Sequence, residues 1–177
     1  FATEYRRSYP KGTLACHVLG FAGLDNQGLS GLELYYDKEL TGTPGKLLLE
    51  VDSAQNNIPQ SQQEFIPAVE GYSVNLTIDE TVQYITEREL EKVYNEQQAE
   101  GATAIVMNVK TGAVLAMANY PNFDPNNYGD VEDTVWNNFA VNGTYEPGST
   151  FKMISSSMFL EEGVTAATDH YYCAGSM

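Results

Sequence analysis

Ser149 and Lys152 stand three residues apart in the stretch Tyr145-Glu146-Pro147-Gly148-Ser149-Thr150-Phe151-Lys152. Residues at i and i+3 share one face of a helix, so the lysine amine can reach back toward the serine hydroxyl. A serine hydroxyl is a weak nucleophile until a neighbour takes its proton. A lysine can take it when burial or a nearby positive charge lowers its pKa. The pair therefore points to acyl transfer through a covalent serine intermediate. The free N–H groups and positive dipole end of a helix N-terminus would favour negative charge on the serine oxygen. The competing reading is plain: S-x-x-K arises by chance, and serine is a common helix cap.

The elements around the pair must hold it. Pro147-Gly148 reads as a turn entering a helix, and Gly163 as its stop. Met153, Ile154, Met158, Phe159 and Leu160 predict that this helix is driven into the interior, where Lys152 would lose water. Upstream, a helix is expected from about Asp79, capped by Thr77 or Asp79, with Thr77 and Glu80 in a capping-box spacing. Val82, Ile85, Leu90 and Val93 give it an apolar stripe, with Glu87, Glu91 and Lys92 opposite and Gly101 ending its acidic tail. Ala102 to Val109 and Ala113 to Asn119 read as a hairpin, closed by Pro121 and Pro125. A long polar loop from Asn122 to Glu146 then leads to the serine, with Trp136 and Phe139 as packing anchors in it.

Two triplets imitate catalytic motifs. Lys110-Thr111-Gly112 falls at the hairpin junction, where a glycine-containing turn is required. Ser73-Val74-Asn75 falls in the lead-in to the first helix. Both read as structural. The first part of the chain has short apolar runs broken by Gly, Pro, Asn and Gln. Leu14 to Phe21 and Lys46 to Val51 are strand-like, Leu32 to Leu40 is a short helix, and Ser53 to Glu64 is a polar loop.

The 177 residues carry 24 acidic and 9 basic side chains, a net charge of −15. That argues against a nucleic-acid or anionic-lipid partner, since both need clustered Lys and Arg. Cys16 and Cys173 are too far apart in sequence to indicate a pairing and read as free thiols. With His17 and His170 they form no metal-ligand spacing, so neither metal nor cofactor is expected. His17 reads as a packing residue and His170 as a surface one.

The stretch Tyr145 to Lys152 resembles the active-site serine motif of the class B penicillin-binding proteins. Further matches follow in the same order: Arg6 to Phe21 ("RRSYPKGTLACHVLGF") and Gln27 to Lys46 resemble the pedestal, and Leu76 to Gln83 the first catalytic-domain helix. Ala104 to Asn126 resembles the first hairpin and its exit loop. The resemblance implies an α+β fold. A partial, mostly β pedestal of the dimerisation type would span 1–70, and the N-terminal portion of a transpeptidase domain 71–177. It implies Ser149 as nucleophile and Lys152 as proton acceptor on D-Ala-D-Ala stem peptides, with β-lactams as mimics. It implies peptidoglycan, and other cell-wall synthesis proteins, as partners on the outer side of the bacterial membrane. The family's anchoring helix has no counterpart, because no run of about 18 to 20 apolar residues occurs. The S-x-N and K-T-G motifs that follow the serine in the family do not follow Ser149. The chain is thus expected to be an inactive fragment of an active enzyme, self-associating through exposed strand edges. A β-lactamase or β-lactam sensor would lack the pedestal-like part. A non-catalytic scaffold module remains the other alternative.

Overall fold

Asp79 starts the longest helix, although Thr77 and Asp79 both had the chemistry to do so. Its carboxylate accepts from the Val82 N–H at 2.9 Å, while the Thr77 hydroxyl donates instead to the Val114 carbonyl at 2.7 Å. The structure, a computed structural model, describes residues 6–48, 64–170, 172 and 175. In chain order these form α1 (Cys16–Leu19), α2 (Gly31–Tyr35), α3 (Asp37–Thr41), β1 (Lys46–Leu48), β2 (Glu64–Ile66), α4 (Glu80–Gln97), β3 (Ala102–Met107), β4 (Val114–Tyr120), α5 (Phe139–Asn142) and α6 (Lys152–Glu161). Short 3-10 helices occupy Pro125–Asp130, Asp133–Trp136 and Gly148–Phe151. β1 pairs antiparallel with β2, and β3 with β4. The class is α+β.

Leu14 to Phe21 is not a strand. Successive turns bond Gly12 N to Tyr9 O, Leu14 N to Lys11 O and Cys16 N to Thr13 O, and the last of them runs into α1. Gly12 at φ 56° and Ala15 at φ 55° take the left-handed conformation, which no strand can contain. The apolar run is therefore coiled, and it presents Cys16, His17 and Phe21 to the interior. Gly20 must be glycine: its φ is 74°, and a Cβ there would stand 1.9 Å from the Ser30 carbonyl oxygen. That close approach lets α1 lie against α2. The expected helix over Leu32 to Leu40 is broken in two at Tyr36. Most of the polar stretch from Ser53 to Glu64, the residues after Leu48 in the expected second strand, and Cys173 lie outside the described residues.

α4 ends at Gln97 rather than near Gly101. Gln98 adopts φ 51°, and the Ala99 and Gln98 N–H groups bond back to the Tyr94 and Asn95 carbonyls. This is a Schellman stop built on a residue with a Cβ, which costs about 1 kcal/mol relative to glycine. Gln98→Gly is therefore expected to raise stability by about 0.5–1 kcal/mol. A chemical-denaturation midpoint that stays put or falls would contradict this.

The chain divides into two compact units, 1–143 and 144–177. The first is organised around Tyr9, Cys16, Phe21 and Phe123, with Tyr128, Val131, Val135 and Trp136 packed on them. Phe21 stacks on Tyr128 at 4.3 Å and meets the edges of Trp136 and Phe123 at 4.9 and 5.8 Å. Burying a phenylalanine of this kind contributes roughly 1.5–3 kcal/mol. Residues 9–21 and 123–136 thus share one core, although the sequence assigned them to different domains. Trp136 is an anchor, its indole N–H donating to the Tyr128 carbonyl at 3.0 Å, whereas Phe139 is half exposed. The segment expected as a polar loop, 122–146, contains short helical turns and supplies Phe123, Tyr128, Val131, Val135 and Trp136 to this core.

Candidate active site

Ser149 lies in the 3-10 turn Gly148–Phe151, and Lys152 opens α6 directly after it. Pro147, Phe151 and Lys152 all have right-handed helical dihedrals, so turn and helix form one continuous run with Ser149 in its opening turn. The Thr150 hydroxyl and N–H both donate to the Pro147 carbonyl and tie down the entry. Gly163 ends α6 as expected: it has φ 64°, and Val164 N and Gly163 N bond to Phe159 O and Leu160 O.

Ser149 and Lys152 are both exposed, and among the described residues no hydrogen bond joins their side chains. The expectation that apolar residues bury this helix does not hold in this chain. Met153 is 70 % exposed and Phe159 49 %, and α6 has no buried residue. The physical reason is local. Among the described residues of 144–177 there is one α-helix with a 3-10 turn before it, and a single helix has no second layer within its own unit against which to bury an apolar surface. The two imitation motifs lie where the sequence put them. The Lys110 and Thr111 N–H groups bond to the Asn108 side chain, and Gly112 at φ 75° returns the hairpin. Ser73-Val74-Asn75 is irregular chain ahead of Asp79.

The polar residues that brace the hairpin were missed. α4 faces inward with a mixed surface: Gln83 is fully buried and Val82, Glu87 and Leu90 are partly buried, while Ile85 and Val93 are 45 % and 51 % exposed. The Gln83 amide accepts from Met117 N at 2.8 Å and donates to Met117 O at 2.9 Å and to Glu87 Oε1 at 2.6 Å. An N–H donates once, so this pair of main-chain groups faces away from β3, and the outer edge of β4 is capped there. Glu87 also accepts from the Ala15 N–H at 2.7 Å, and burial pushes its carboxyl pKa up. A glutamine and a glutamate four apart on a helix against a sheet edge could have signalled this clamp.

A second network joins α1 to the chain after β4. His17 Nε2 lies 2.9 Å from the Val135 carbonyl, and Nδ1 lies 3.3 Å from Cys16 Sγ. A carbonyl only accepts, so Nε2 carries the proton and Nδ1 accepts from the thiol. Burial lowers the His17 pKa and raises that of Cys16 to about 12, which keeps both neutral. Cys16 is a free, buried thiol. Asn138 donates to the His17 carbonyl at 3.4 Å and accepts from Asn119, whose own carbonyl oxygen receives the Ala140 N–H at 2.9 Å. Asn126 pairs with both main-chain groups of Tyr9 at 2.9 Å each.

Among the described residues no cluster of His, Cys, Asp and Glu could hold a metal ion, and no helix is long and apolar enough to cross a membrane. Residues 1–76 match the family model of the penicillin-binding protein dimerisation domain, and residues 102–176 that of the penicillin-binding protein transpeptidase domain. The chain is 43 % identical over 176 residues to stage V sporulation protein D of Bacillus subtilis, covering 98 % of this chain and 27 % of that protein. It is 36 % identical over 161 residues to the peptidoglycan D,D-transpeptidase FtsI of Escherichia coli, covering 91 % and 27 %. The crystal structure of penicillin-binding protein 3 from Mycobacterium tuberculosis complexed with aztreonam superposes with a TM-score of 0.79 at 33 % identity, covering 97 % of this chain and 35 % of that one. The chain thus spans about a quarter of the length of these curated relatives.

Proposed function

The chain belongs to the class B penicillin-binding proteins, and on that premise we propose that it carries the nucleophile of a serine D,D-transpeptidase that cross-links peptidoglycan. The observation that supports this reading most is Ser149 in the opening turn of a continuous helical run, with Lys152 three residues on, inside the region matched by the transpeptidase model. Ser149 Oγ attacks the carbonyl carbon of the penultimate D-Ala while Lys152 Nζ accepts the hydroxyl proton. The C–N bond to the terminal D-Ala breaks, that amine takes up a proton, and an acyl-serine remains. An amine from a neighbouring stem peptide then attacks the acyl carbon and regenerates the serine. A β-lactam replaces the dipeptide and leaves a long-lived acyl-serine. The Ser149 N–H supplies one donor for the oxyanion.

The reaction belongs on the outer side of the membrane, where stem peptides are. The first part of the chain, 1–70, serves as pedestal and 71–177 as the beginning of the transpeptidase domain. A protein of the relatives' length containing this chain is expected to release D-alanine from a peptide ending in D-Ala-D-Ala, and Ser149→Ala to stop that release. Equal release from both would overturn the reading. The 177 residues alone carry no S-x-N and K-T-G after Ser149. Loss of one oxyanion donor costs about 10²–10³ in rate, so these residues by themselves are expected to leave a fluorescent penicillin unreacted. Stoichiometric labelling of them would contradict that.

A further inference from the structure

We propose that Glu87 closes a proton-linked latch between the turn ahead of α1 and the outer edge of β4, tight when its second carboxyl oxygen carries a proton and looser when it does not. The inference stands whether or not Ser149 is the nucleophile, and every group it uses lies within residues 1–143. α4 falls between the two matched regions, the dimerisation model over 1–76 and the transpeptidase model over 102–176. Glu87 reaches the first by accepting the Ala15 N–H at 2.7 Å. It reaches the second through the Gln83 amide, which donates to it at 2.6 Å and holds both main-chain groups of Met117.

The two donors converge on one atom. The Ala15 N–H and the Gln83 amide N–H both end on Oε1, and among the described residues no hydrogen bond reaches Oε2. A neutral carboxyl suits that arrangement, because its carbonyl oxygen has two lone pairs and its other oxygen bears the proton. A carboxylate held away from water ordinarily has a cation beside it. Glu33 has Arg7 at 2.6 Å, whereas Glu87 is in no ion pair among the described residues. The titratable groups facing Glu87 supply no positive charge. α1 presents the Cys16 thiol and β4 the Tyr120 phenol, each neutral with its pKa pushed up to about 12 by burial. Behind Cys16, the buried His17 imidazole is held neutral by its lowered pKa. β3, also packed on α4, carries no titratable side chain. On α4 itself Glu91, one turn on, adds only negative charge, and Lys11, ahead of α1, is paired with Glu80. Burial is the largest influence on the Glu87 carboxyl and raises its pKa. A group raised in this way contributes stability that is complete below its unfolded value and is lost as pH rises through the folded one. The latch therefore holds best in acid and loosens toward neutrality.

Amide hydrogen exchange at Ala15, divided by the intrinsic rate at each pH, reads the latch directly in a protein of the relatives' length. Glu87→Gln keeps an accepting oxygen for both donors and cannot ionise, so it imitates the protonated form at every pH. Protection of the Ala15 amide in the wild type is expected to fall about threefold or more between about pH 4 and about pH 8. In Glu87→Gln the same fall is expected to be absent, with protection staying near the wild-type value in acid. A wild-type profile that is flat or rises with pH overturns the proposal, and so does the same fall in Glu87→Gln, which would place the titrating group elsewhere. If Glu87→Gln does not fold, the Glu87 carboxyl of the wild type, titrated by carbon-13 NMR, decides. A midpoint above the ordinary glutamate value supports the latch, and one at or below it overturns the latch.

Discussion

Lys152→Met in a protein of the relatives' length slows acylation of Ser149 by about 10²–10⁴-fold, the range that a positioned general base contributes. Methionine keeps the length and most of the apolar stem of lysine and removes only the amine. The loss should appear in the second-order rate constant for acylation, measured by stopped-flow fluorescence, with the far-ultraviolet circular dichroism of the folded protein retained. A variant that acylates at the wild-type rate would remove Lys152 from proton transfer and require another base.

The second large effect is on stability. Gln83→Ala strips one fully buried amide from three partners at once: the Met117 N–H, the Met117 carbonyl and the Glu87 carboxylate. Each buried polar group left unsatisfied costs about 1–3 kcal/mol, and water entering the vacated space offsets part of it. A net loss of about 2–4 kcal/mol is expected for residues 1–143. Urea unfolding measures it as a lower midpoint at constant slope. A change below about 0.5 kcal/mol would mean that the hairpin edge does not depend on this clamp. Because Glu87 holds Ala15 from the same helix, the variant should also increase amide exchange at Ala15.

The local backbone around Ser149 and Lys152 was the most legible part of the sequence. Pro147-Gly148, Ser149, Lys152 and Gly163 each act through local backbone rules, and the turn, the helix start and the stop follow from them. The hairpin was equally plain, because strand periodicity on either side of Lys110-Thr111-Gly112 leaves few alternatives. What escaped depends on partners distant in sequence. Leu14 to Phe21 has a strand's composition, yet left-handed Ala15 within it and Gly12 just before it coil the chain, and Ala15 gives no sign of that by itself. The apolar stripe on α4 misled because the edge of β4 offers main-chain groups that must be satisfied, and Gln83 does so while Ile85 and Val93 stay exposed. The polar composition of 122–146 concealed Phe123 and Val135, which with the expected anchor Trp136 reach back to the core around Phe21 across more than half the chain. The apolar side chains of α6 remain uncovered in residues 144–177, which provide no second layer for them.

The proposed reaction depends on one hydroxyl, that of Ser149. Incubating a protein of the relatives' length with a penicillin, digesting it and locating the adduct by mass spectrometry tests that claim most directly. The predicted result is a single acyl adduct on the peptide containing Ser149, absent from Ser149→Ala. An adduct on any other residue, or one that persists in Ser149→Ala, would contradict it.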